Sequence, residues 1–169
     1  MQSQPWAWGR EEGRFLTAPT LVLTWGNPSR GDDALGPLFA EHFATLAERH
    51  PEWCEVECLT DFQLQVEHAL DLQGRQRVLF DDASLDAPAP FSLERIAAAR
   101  DGSFTTHAMS PQAVLKVYTE IEDEPPPAWL LAIRGERFEL GEPVSPTARI
   151  NLELALTEAC RWLDTALSI

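Results

Sequence analysis

The chain has 169 residues, 44% of them hydrophobic, which suits one globular domain with a sizeable core and leaves no room for a second. Its 13 basic and 27 acidic residues give a formal net charge of -14, which excludes nucleic acid and anionic membranes as partners, because both would repel it. No run approaches the roughly 18 apolar residues of a membrane span. The cysteines, Cys54, Cys58 and Cys160, are odd in number, and no leader combines a basic region with an apolar core, so the reading is a soluble protein of the reducing cytoplasm.

Residues 1–18, with Trp6, Trp8, Gly9 and Gly13 among polar neighbours, show no period and read as an N-terminal extension to an α/β domain over 19–169. Leu21 to Trp25 is a continuous β-favouring run, as expected of a strand covered on both faces. Gly26-Asn27-Pro28-Ser29-Arg30-Gly31 is dense with turn formers, and Arg30 there reads as a turn-surface cation. A helix beginning near Asp32 or Asp33 then carries Leu35, Leu38, Phe39, Phe43 and Leu46, with Pro37 tolerated in its first turn. One aspartate is free to cap that helix, and the other to point into the crevice beyond the strand.

Further along, Glu55 to Leu59 predicts a short strand, and Phe62, Val66, Ala69 and Leu70 predict a helix closed by Gly74. Arg77 to Phe80 predicts a strand leading into Asp81-Asp82, and Phe91 to Ile96 an extra edge strand. Ser110-Pro111 and Ser145-Pro146 have the form of helix starts, with Ser as cap and Pro at the first helical position. Between them Trp129 to Ile133 predicts the last strand; the final helix carries Ile150, Leu152, Leu156, Ala159, Leu163 and Leu167. Strands alternating with helices predict a single-domain three-layer α/β sandwich: a mainly parallel twisted sheet with helices on both faces.

In such a sheet the carboxyl ends of the strands share one edge, so Asp33 and Asp82 can approach each other and His107, before the Ser110 helix start, can join them. Two carboxylates and an imidazole can hold a divalent metal with positions left open, or perform acid/base chemistry. Other readings lose ground. The glycine turn is neither G-x-G-x-x-G nor G-x-S-x-G, and it lacks a Walker lysine. Cys54 and Cys58 have no second Cys/His pair to make a zinc site, while His42, His50 and His68 lie in or beside ordinary helices and read as structural or solvent-facing.

GNPSRGDDALGP, DFQLQVEHALDL, VLFDDAS, THAMSPQAVL and IRGERFELGEPVSP, in this order, resemble the maturation endopeptidases of nickel-iron hydrogenases over about residues 20–167. The resemblance implies a single cut that removes the C-terminal extension of the hydrogenase large-subunit precursor after nickel insertion. It also implies metal ligation by Asp33, Asp82 and His107; Asp33 and Asp82 are in addition the candidate catalytic residues, as carboxylates that can help proton transfer. The nickel would be carried by the precursor rather than held permanently, and the enzyme would act as a cytoplasmic monomer. Asp32 is then left as the helix cap. Alternation sends Asp81 and Asp82 to opposite sides of the strand, and the Asp-Ala order favours Asp82 as the ligand. The alternative on the same scaffold is a non-proteolytic nickel-recognition or metal-delivery module using the same three residues.

Overall fold

The computed structural model describes residues 17–102 and 109–166. Its strands are β1 (Thr20–Trp25), β2 (Val56–Asp61), β3 (Arg77–Ser84), β4 (Phe91–Ile96) and β5 (Ala128–Arg134). They form one sheet in the order β2-β1-β3-β5-β4, parallel except for the edge strand β4, which runs antiparallel to β5. Each predicted strand is present, and β3 continues four residues past Phe80, so Asp81 and Asp82 lie within the strand and not in a turn after it.

Helices α1 (Leu35–Ala47) and α4 (Pro146–Ala166) cover one face, where Leu35, Phe39, Leu152, Leu156 and Leu163 pack on Val22, Leu79 and Leu131. Helix α3 (Pro111–Ile121) and the one-turn α2 (His68–Asp71) cover the other, where Val114, Leu115 and Leu72 meet Leu21, Leu23, Val78 and Phe80. The result is the expected three-layer sandwich, with β1, an interior strand between β2 and β3, buried along its whole length. Both Ser-Pro starts hold. Ser110 Oγ accepts the Ala113 N–H at 3.1 Å and Ser145 Oγ the Ala148 N–H at 3.2 Å, each satisfying a donor that the first helical turn leaves open.

The helix predicted through Phe62 and Val66 shrinks to α2. Phe62, Val66 and Leu70 are 59%, 50% and 55% exposed, while Leu64, Ala69 and Leu72 supply the buried contacts. The cause is local winding: His68 N–H bonds Gln65 O, Ala69 N–H bonds Val66 O and Leu70 N–H bonds Glu67 O. These three-residue steps are tighter than an α-helix and turn the i, i+4 stripe away from the sheet. Ile150 of α4 is likewise exposed, whereas Leu152, Leu156, Ala159 and Leu163 are buried as expected. Leu167 lies outside the described residues.

One buried group opposes this packing. Asp81 points toward the α1/α4 face, between Leu79 and Ala83 in the strand's alternation, and is fully buried with no hydrogen-bond partner for either oxygen among the described residues. Its β1 neighbour in register, Thr24, is equally buried, with no partner for its hydroxyl among the described residues. Burial, and after it the neighbouring Asp82 charge, hold the Asp81 carboxyl well above the usual carboxylate range, so folding favours its protonated form.

An unfolded aspartate titrates near pH 4, so the folded chain binds one more proton above that pH, and stability falls as pH rises toward the folded-state value. Asp81→Ala is therefore expected to raise the melting temperature at pH 8, by an amount equivalent to about 1–3 kcal/mol, and to lose most of that advantage at pH 4. Calorimetry across this range checks it, and a variant less stable than the parent at pH 8 contradicts it.

Candidate active site

The site is built where two neighbouring parallel strands part. β1 pairs with β3 as far as Thr24 opposite Asp81, and Trp25 is followed by the turn that leaves the sheet. Asp82, the next residue of β3, has β5 on one side only, in register with Ala132. From this point the chain after β1 passes to α1 on one face and the chain beyond β3 and β4 passes to α3 on the other, so the gap is the switch point where open α/β sheets bind ligands.

Asp33 enters the gap because α1 is pressed against the end of β1. A Cβ on Gly36 would stand 2.0 Å from Trp25 O, and one on Gly26 would stand 2.0 Å from Asp33 O, so both contacts require glycine. A 3-10 turn, Gly31–Ala34, packs on β3 and carries Asp33 half-buried. The Asn27 N–H donates to Asp33 Oδ2 at 2.8 Å, and Asn27 is itself fixed by its Oδ1 accepting the Ser29 N–H at 2.8 Å. That bond holds one Asp33 oxygen.

Asp82 responds to this neighbour. Its carboxyl is pushed up to about 7, first by burial and then by the Asp33 charge, against the opposing hydrogen bonds from the Ala83 backbone and the Trp25 side chain. Asp33 is thus near enough for its charge to act on Asp82. His107 lies outside the described residues. Among the described residues no group of three His, Cys, Asp or Glu side chains converges as a metal site. A carboxyl pushed up to about 7 with a second carboxylate charge near it suits proton exchange or a cationic guest.

The expectation for Asp32 is corrected. Its side chain caps neither the 3-10 turn nor α1. It is fully buried and reaches across the molecule to the loop between β5 and α4, where Oδ2 accepts the Glu136 N–H at 2.7 Å, the Arg137 N–H at 3.1 Å and the Ser145 hydroxyl at 2.8 Å. Oδ1 accepts the Ser145 N–H at 2.7 Å. Burial pushes its pKa up, but the bonds from Glu136, Ser145 and Arg137 outweigh it and hold the carboxyl below its ordinary value. The donors select an acceptor-only anion, and a loop supplies enough of them to keep it charged.

Trp25 and Asn27 are site residues that the sequence reading missed. Trp25 shares the sheet face of Asp82, a fact that strand register fixes and strand periodicity alone cannot. His68, by contrast, is structural as expected: Nδ1 accepts the Gln65 N–H at 2.8 Å and Nε2 faces Asp61 at 3.2 Å, which occupies both ring nitrogens. Cys54, Cys58 and Cys160 form no disulfide, and burial pushes the Cys58 thiol up to about 12, so it supplies no thiolate. Asp33→Asn should lower the Asp82 pKa from about 7 by roughly one unit in a carbon-detected carboxyl titration, leaving the burial effect in place. An unmoved titration would show that the two carboxyls do not sense each other.

No protein-family model matches the chain, and no curated protein matches it. Solved structures do. The NiFe hydrogenase maturation protease HycI from Thermococcus kodakarensis is 20% identical, with 87% of this chain covering 93% of that one at a TM-score of 0.65. The hydrogenase maturating endopeptidase HybD from E. coli is 23% identical with the same coverage and TM-score. A solution structure of an endopeptidase from Escherichia coli is 22% identical, again over 87% and 93%, at a TM-score of 0.67. The chain has the fold of the hydrogenase maturation proteases.

Proposed function

We propose that this protein is an endopeptidase that removes the C-terminal extension of a nickel-iron hydrogenase large-subunit precursor after nickel insertion. The observation that carries the reading is the pair of interacting carboxylates, Asp33 and Asp82, at the switch point of a fold shared with solved structures named as hydrogenase maturation proteases. Asp33, Asp82 and His107 are the ligands by which it meets the nickel borne by the precursor. Carboxylate oxygen and imidazole nitrogen suit a divalent first-row metal, and a pair of negative side chains in a chain of net charge -14 favours a cationic guest.

Asp82 has a second part in this reading. A carboxyl titrating near 7 is present in both protonation states at neutral pH, so it can ligate as the anion and hold or release a proton as the acid. Recognition of the metal accounts for the order of events, because a precursor without nickel presents nothing for the carboxylates to bind. Cytoplasmic location, monomeric action and the precursor as sole macromolecular partner belong to the same proposal. No helix among the described residues is long and apolar enough to cross a membrane.

The test is incubation of the purified chain with nickel-loaded and nickel-free precursor, followed by mass spectrometry. A discrete C-terminal peptide from the loaded form alone supports the protease, and metal transfer without cleavage overturns it. Asp33→Asn, Asp82→Asn and His107→Ala are each expected to slow cleavage at least about 100-fold, the scale on which lost positioning and electrostatic contacts act. Cleavage by His107→Ala at the parent rate would remove that residue from the site.

A further inference from the structure

The β5–α4 loop, residues 135–145, is joined to the turn that carries Asp33 by more contacts than a surface loop needs. Besides the four bonds to the Asp32 carboxylate, the Asp32 N–H bonds Arg137 O at 2.6 Å, the Gly31 N–H bonds Glu142 O at 3.0 Å and the Gly141 N–H bonds Ser29 O at 2.8 Å. Arg30 adds its Nε–H to Phe138 O at 3.2 Å. The two segments meet without room for side chains between them: a Cβ on Gly31 would stand 2.4 Å from Arg137 O, and one on Gly135 would stand 2.9 Å from the Asp32 Cβ.

The Gly31–Ala34 turn has little rigidity of its own. It is a single 3-10 turn with no side-chain cap, and among the described residues the Asp33 carboxylate is held by one hydrogen bond, from the Asn27 N–H. We propose that Asp32 is a positioning residue, whose buried carboxylate clamps residues 135–145 against this turn and so sets the direction in which the next residue, Asp33, presents its free oxygen to the substrate. The proposal rests on the endopeptidase reading for its substrate, but the clamp itself has a readout that needs none. Asp32 touches no reacting atom in this scheme and acts only through Asp33.

An amide at this position fits poorly. All four groups facing the carboxylate donate, so Asp32→Asn turns an N–H group toward another donor while keeping size and shape. Leu156→Ala is the matched control: it opens the α4 core, away from the turn, and lowers global stability without touching the clamp. In Asp32→Asn, kcat for the nickel-loaded precursor is expected to fall at least about tenfold with KM within about threefold of the parent, because a small misplacement of a reacting group acts on the chemical step. The Asn27 amide, which bonds Asp33 Oδ2, is expected to exchange its hydrogen at least about tenfold faster.

Leu156→Ala should leave both quantities within about threefold of the parent under conditions where the folded state dominates. If Asp32→Asn does not fold, Ser145→Ala serves in its place. It removes one of the four donors, and the expected loss in kcat and gain in Asn27 exchange are each about threefold to tenfold. Asp32→Asn, or Ser145→Ala in its place, matching Leu156→Ala in both readouts overturns the proposal. If the parent chain cleaves no precursor, the endopeptidase reading fails, and the Asn27 exchange rate alone decides whether Asp32 clamps the turn.

Discussion

The site depends on β1 and β3 parting company one residue before Asp82. While the two strands are paired, every polar backbone group between them is taken, and nothing but side chains above and below the sheet can approach. Once β1 has turned away at Gly26, a gap opens in the plane of the sheet, bounded by Asp82 on one side and by the returning turn on the other. The glycines at 26 and 36 matter because the helix must start almost in contact with the strand it follows. A longer or bulkier connection would carry Asp33 out of the gap and leave Asp82 alone.

Much of this was legible in the sequence because it is local. β1 is an uninterrupted β-favouring run, the Ser-Pro pairs supply a cap and a fixed φ in adjacent residues, and the alternation of strands with helices dictates a parallel sheet. The approach of Asp33 and Asp82 follows from that architecture, since both stand at carboxyl ends of strands. The α2 region was misread for an equally local reason. Phe62, Val66 and Leu70 have helical spacing, yet the residue that anchors the segment is Leu64, which has no place in that period.

The role of Asp32 was not legible, for a different reason. Its partners are 104 to 113 residues away, in a loop whose backbone N–H groups carry no sequence signature. Aspartate at a helix start reads as a cap because a cap is the local way to satisfy both the carboxylate and the open N–H groups. Here the chain satisfies the carboxylate at long range, and the short 3-10 turn leads into α1 without a side-chain cap. Three aspartyl groups within one small region, Asp32 and Asp81 buried and Asp82 partly so, show three outcomes: Asp32 held below its ordinary pKa by four donors, Asp82 pushed up to about 7, and Asp81, with no partner among the described residues, pushed well above the carboxylate range.

The intermediate state of Asp82 has a thermodynamic consequence. At neutral pH the gap holds, on average, a fraction of a proton, which acts as a placeholder for positive charge between two acidic groups. On the proposed reading, a metal ion arriving on the precursor would have to evict that proton, so docking of a loaded precursor would be an ion exchange and would grow tighter as the medium becomes more alkaline. A partner lacking the ion would bring no charge to exchange and would leave the proton where it is. Selectivity for finished cargo would then reside in the charge balance of the gap as well as in its shape.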